Sequence, residues 1–232
     1  MPGYYYYYDP YYILVIVGLL ISLLASARVK GTFRKYDEVR SRTGLTGAEA
    51  AKRLLQSQGI YDVSVQRVSG SLTDHYDPRS KVLRLSDSTY NSTSVAAIGV
   101  AAHECGHALQ HEENYMPLTL RSALVPVANF GSHFSMLLII AGLFLGQVLV
   151  EAGILLFCAV VLFQVVTLPV EFNASGRALR LLGDNGILYE EEVGMTRKVL
   201  RAAALTYVAS VLVSVMQLVR LILLYGGRGR RD

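Results

Sequence analysis

The chain has 232 residues, 52% of them hydrophobic and only 17% charged, against about 25% charged in an ordinary soluble domain. The shortfall comes from a few long apolar runs, so the composition indicates an integral membrane protein with room for one small extramembrane domain. A net charge of +4, without a basic stripe carrying interleaved aromatics, excludes a nucleic-acid-binding surface.

The first element predicted is a membrane helix. Its apolar stretch from Tyr11 to Ala27 is long enough to cross hydrocarbon, with a tyrosine cluster before it and Arg28, Lys30, Arg34 and Lys35 after it. The tyrosines Tyr4 to Tyr8 suit a membrane interface or a low-complexity tail. Cations after the apolar core, instead of before it, favour a retained signal anchor over a cleaved signal peptide. Residues 1–27 hold no Lys or Arg, whereas residues 28–53 hold eight against three acids. The positive-inside rule then puts the N-terminus outside and the following domain in the cytoplasm.

Residues 31–130 read as a soluble segment. Thr46 caps a helix, with Glu49 completing a capping box and Gly59 ending it. "YDVSVQRV" alternates as a strand, and "LTDHYDPRSKVLRLS" gives two short extended pieces around an Asp77–Ser80 turn. "NSTSVAAIGVAAHECGHALQHEE" begins with capping residues and continues as a long Ala-rich helix. Residues 131–170 then form a helical hairpin of two apolar runs, Phe134 to Val150 and Gly153 to Pro169, turning at Glu151–Ala152. Residues 171–201 are polar and helical, broken at "GDNG", 183–186. The last run, Ala202 to Tyr225 within residues 202–232, carries a polar stripe of Thr206, Ser210, Ser214, Gln217 and Arg220. It suits either a fourth span or a helix packed on the domain, so three to four spans are expected. Cys105 and Cys158 are too few for a disulfide framework and read as small buried residues, in keeping with a reducing compartment.

The chemistry lies in His103-Glu104-Cys105-Gly106-His107, an HExxH motif. Positions i and i+4 share a helix face, so two imidazoles can grip one Zn²⁺ while Glu104 accepts a proton from bound water. Small neighbours, Ala101, Ala102, Gly106 and Ala108, leave room for a metal. The competing reading is two histidines hydrogen-bonded in a helix interface. His111 continues the four-residue spacing, but eight residues from His103 is about 12 Å of helical rise, too far for both to reach one ion. It reads as a helix-surface residue or a partner behind the ligands. A catalytic zinc takes a third protein ligand and an open water position. Glu171, at the end of the returning span, is the best candidate; it also suits a charge favouring the helix dipole.

"GSLTDHYDPRSKVLRLS", "SVAAIGVAAHECGHALQH", "LPVEFNASGRALRLL" and "RAAALTYVAS" resemble the bacterial YugP-type neutral zinc metallopeptidases of the membrane. The likeness runs from about residue 28 to the end, and more distantly the layout is similar to HtpX-like and CAAX-prenyl endopeptidases. The resemblance implies a mainly α integral membrane protein, multi-pass in the bacterial cell membrane, with a small α+β gluzincin-like domain at the membrane face. It further implies one catalytic Zn²⁺ on His103, His107 and Glu171, with Glu104 as base. The distant relatives carry an aspartate four residues after the ligand glutamate; this chain has Ser175 there and Asn173 nearby, neither charged. By analogy "TDHYDPRSK" is an edge strand that pairs with an extended peptide. His75, Tyr76, His133 and Arg177 are candidate donors to the oxyanion, or else ordinary polar residues. The expected substrate is a peptide or a membrane protein in the bilayer. A zinc-binding scaffold or adaptor without proteolytic activity is the alternative function.

Overall fold

The computed structural model describes residues 9–226. The tyrosines 4–8 and the basic tail residues Arg228, Arg230 and Arg231 lie outside the described residues. The chain is mainly helical with one small sheet, in the order α1 (Tyr12–Asp37), α2 (Gly47–Ser57), β1 (Ser64–Val68), β2 (His75–Asp77), β3 (Val82–Ser86), α3 (Asp87–Tyr90), α4 (Val95–Glu112), α5 (Met116–Leu145), α6 (Gln147–Asp184) and α7 (Glu190–Tyr225). Four helices, α1, α5, α6 and α7, are long and apolar enough to cross a membrane. The chain divides into two compact units. One comprises residues up to 24, 123–165 and from 207; the other comprises 25–122 and 166–206.

The first unit is helical. Ile139, Val150 and Leu221 are buried together, with Ile154, Phe157 and Tyr225 against them. Its helical turn is not at Glu151–Ala152, as the apolar runs suggest, but at Gly146, whose φ of +133° is open to glycine and strained for other residues. Glu151 therefore lies inside α6. The charge that the sequence leaves unexplained, Arg220, is satisfied here: its guanidinium pairs with Asp9 and donates to Gln217 Oε1 at 3.3 Å. Both members of the Arg220–Asp9 pair are largely withdrawn from solvent, where an unpaired charge would be costly. Cys158 is only partly buried, whereas Cys105 in the other unit is fully enclosed, and burial pushes its thiol pKa up.

The second unit packs a three-stranded sheet, order β1-β3-β2, on helices. β1 runs parallel to β3, while β2 is antiparallel to β3, with Tyr76 opposite Leu83. The Asp77 turn forms because Asp77 accepts from Ser80 Oγ at 2.6 Å and from the Arg79 N–H at 3.0 Å. The Ser80 bond first, then the Arg79 bond, hold the Asp77 carboxyl down at about 2. β2 forms one edge of the sheet. Leu54, Leu55, Leu83, Leu85, Ile98 and Leu182 form the centre of the core, each fully or almost fully buried. The capping box at α2 is present as read from the sequence: Thr46 Oγ1 accepts from the Glu49 N–H, and Glu49 accepts from the Thr46 N–H. Ser94 caps α4 in the same way, accepting from the Ala97 N–H at 3.1 Å.

The sequence suggests a fresh helix after Pro169. Instead, α6 runs unbroken through Pro169 to Asp184. Its proline removes one intrahelical donor without ending the helix, so Glu171 sits on the same rod as the apolar run before it.

Thr46→Ala removes the side-chain half of the capping box. It should destabilise the protein by about 1 kcal/mol, read as a lowered unfolding midpoint of the detergent-solubilised chain; an unchanged midpoint would contradict the role given to this cap.

Candidate metal centre

All residues of the centre belong to the second unit. α4 carries His103 and His107 one turn apart, and their rings meet edge to face with centroids 4.8 Å apart. α6 brings Glu171 against them. Glu171 Oε2 lies 3.3 Å from His103 Nε2 and 3.7 Å from His107 Nε2. One ligand atom from each of the three residues falls within 4.8 Å of the others.

Close approach of two backbones makes this possible. A Cβ at Gly106 would stand 2.5 Å from the carbonyl oxygen of Ala174 on α6. Ala101, Ala102 and Ala108 are likewise buried in the core. The small residues around the motif thus serve helix packing; they do not leave open space about a metal.

Each imidazole is held from behind. Gln110, fully buried, donates through Nε2 to the Val170 carbonyl at 2.8 Å and to Asn173 Oδ1 at 2.9 Å. Its Oε1 is therefore the atom facing His107 Nδ1, at 3.0 Å. A carbonyl oxygen only accepts, so His107 carries its proton on Nδ1 and its Nε2 presents a lone pair in the neutral ring. His103 Nδ1 meets Ser175 Oγ at 3.2 Å. Ser175 thus occupies the orienting position despite lacking a charge.

Glu171 is only 3% exposed. Among the described residues its ion-pair partners are the two histidines alone. Burial works against a charged His107, yet hydrogen bonding to Glu171, helped by Glu104 and Gln110, leaves its pKa raised above the usual imidazole value. A carboxylate buried this deeply needs a compensating cation. Two imidazole nitrogens and one carboxylate oxygen match zinc's preference for N and O donors and leave a fourth position free. Glu104 is 7% exposed and forms no hydrogen bond or ion pair with the described residues.

The other candidates divide. Asn173 and Arg177 form scaffolding: Asn173 Oδ1 accepts from both Gln110 Nε2 and Arg177 Nε, and Arg177 Nη2 donates to Glu113 at 2.7 Å while lying over the Tyr115 ring. Tyr76 is joined to His111, its hydroxyl 2.9 Å from His111 Nδ1. Burial, with Asp62, Glu112 and Asp77 nearby, pushes the Tyr76 phenol up to about 12. The third histidine therefore ties β2 to α4. His75 is exposed on β2, its Nδ1 against the Thr73 carbonyl. His133 belongs to the first unit and is bonded to the Asn129 carbonyl of its own helix. Gln110 is the residue that sequence reasoning overlooked. Its signal was faint: a polar residue three positions after His107, on the helix side that also carries ligands.

A family profile described as "Putative neutral zinc metallopeptidase" matches residues 11–226. The chain belongs to this family. It is also 49% identical over 213 residues, 91% of this chain and 95% of the relative, to a Bacillus subtilis (strain 168) protein named "Putative membrane protease YugP". No solved structure matches. Family membership bears on the donor set, because two histidines and a glutamate are one of the sets that hold catalytic zinc and the described residues offer one such group.

Gly106→Ala forces a methyl group onto the Ala174 carbonyl and should separate α4 from α6. We expect a loss of about 1–3 kcal/mol in stability together with at least tenfold weaker zinc retention, read by thermal unfolding and by metal analysis. Wild-type values for both would show that the close approach is dispensable.

Proposed function

We propose that the protein is a membrane-embedded zinc endopeptidase of the gluzincin type, with His103, His107 and Glu171 holding one Zn²⁺ and Glu104 acting as general base. The observation that carries this reading is the convergence of two imidazole Nε2 atoms on one buried carboxylate oxygen, each ring fixed through its Nδ1. Family membership and the name of the Bacillus relative support it. When bound, zinc supplies a Lewis acid for the scissile carbonyl and acidifies its water.

The chain's own residues do the rest. Glu104 takes the proton of the attacking water and delivers it to the leaving amine nitrogen. Gln110 and Ser175 keep both ring nitrogens aimed. The edge of β2 offers backbone groups to which an extended peptide can pair as an added strand. We read the active-site domain as cytoplasmic and the N-terminus as outside, because the cations cluster after the first apolar run. The substrate class is a peptide or a membrane protein that reaches this face of the bilayer. A scaffold holding a structural zinc would require neither an unengaged buried glutamate nor an open ligand position.

Glu104→Gln should retain zinc and lose about 10²- to 10⁴-fold in peptide hydrolysis, measured with the reconstituted full chain. Undiminished hydrolysis would remove the base assignment, and a closed four-ligand zinc would favour the scaffold.

Glu171→Ala should empty the centre, as metal content by mass spectrometry would record. Full zinc retention would place the third ligand elsewhere.

A further inference from the structure

A second feature of the same unit has no part in this chemistry. Between α1, α6 and α7 lies a cavity of about 700 Å³, lined by Arg28, Arg180, Arg197 and Arg201 together with Phe172 and Leu205. None of the four arginines is ion-paired or hydrogen-bonded to a described residue, in contrast to Arg42, Arg67, Arg84, Arg177 and Arg220. Glu113, which senses Arg180, is held first by Arg177. Four guanidinium groups around one concavity repel one another, and the lining includes no acidic side chain to offset them. Guanidinium forks match phosphate oxygens in pairs.

The apolar lining narrows the class of anion. Phe172 and Leu205 are 51% and 41% exposed, unfavourable next to a free inorganic anion but suited to hydrocarbon. The sequence places the charges at the ends of apolar runs: Arg28 directly follows residues 11–27, and Arg201 directly precedes 202–225. Basic groups at such junctions attract anionic lipid. Gly176 also lines the cavity, and a Cβ there would meet no atom within 4 Å.

We propose that this pocket binds the phosphodiester headgroup of an anionic phospholipid, with the arginines on the phosphate and Phe172 and Leu205 against the start of the acyl chains. The inference is independent of the catalytic reading and holds whether or not the protein cleaves peptides.

The test is lipid binding to the purified full chain in detergent, followed by native mass spectrometry with phosphatidylglycerol, phosphatidylcholine and inorganic phosphate as probes. Wild type should bind phosphatidylglycerol saturably and in preference to phosphatidylcholine, and inorganic phosphate should not displace it. Each arginine removed should weaken binding by about fivefold, so Arg180→Gln, Arg197→Gln and Arg201→Gln together should cost about a hundredfold. Gly176→Leu keeps every charge, fills the cavity and suits a helix better than glycine; it should also lose binding, and it decides the matter alone if the triple variant does not fold. Equal binding of the two lipids, or wild-type affinity in Gly176→Leu, would overturn the proposal. Displacement of the lipid by inorganic phosphate would do so too, by making a free anion the ligand.

Discussion

The centre depends on how closely α4 can approach α6. At Gly106 the α4 backbone faces the Ala174 carbonyl at a distance that a side chain would not permit. That approach carries Glu171 to the two histidines and lets Gln110 bridge from His107 to the Val170 carbonyl. A helix pair separated by ordinary side chains lies about 8–10 Å apart, and a short glutamate side chain has little reach to spare. Site and packing are therefore one constraint.

Around that contact the polar groups form a connected set in which each role follows from donor and acceptor counting. Gln110 has two N–H donors and spends both on α6, so its carbonyl fixes the His107 tautomer. Arg177 steadies Asn173, which in turn holds Gln110. An amide thus holds His107 and a hydroxyl meets His103.

The arginine cavity and the candidate metal centre share α6. Ser175 contacts His103 and also lines the arginine cavity.

Much of this was legible in sequence. HExxH in a capped helix, the capping box at Thr46 and the apolar runs are local patterns, set by helical periodicity and short-range hydrogen bonding. Helical rise alone separated His111 from the His103–His107 pair. Other features were decided by tertiary structure. Periodicity could not place the turn at Gly146, because a glycine with positive φ resembles any other glycine in a run of apolar residues. Nor could it join Asp9 to Arg220 across 211 positions or make Gln110 part of the site. Sequence determined which groups could bind a metal; the meeting of α4 and α6 decided which of them stand together, since only packing brings residues 68 positions apart within bonding distance.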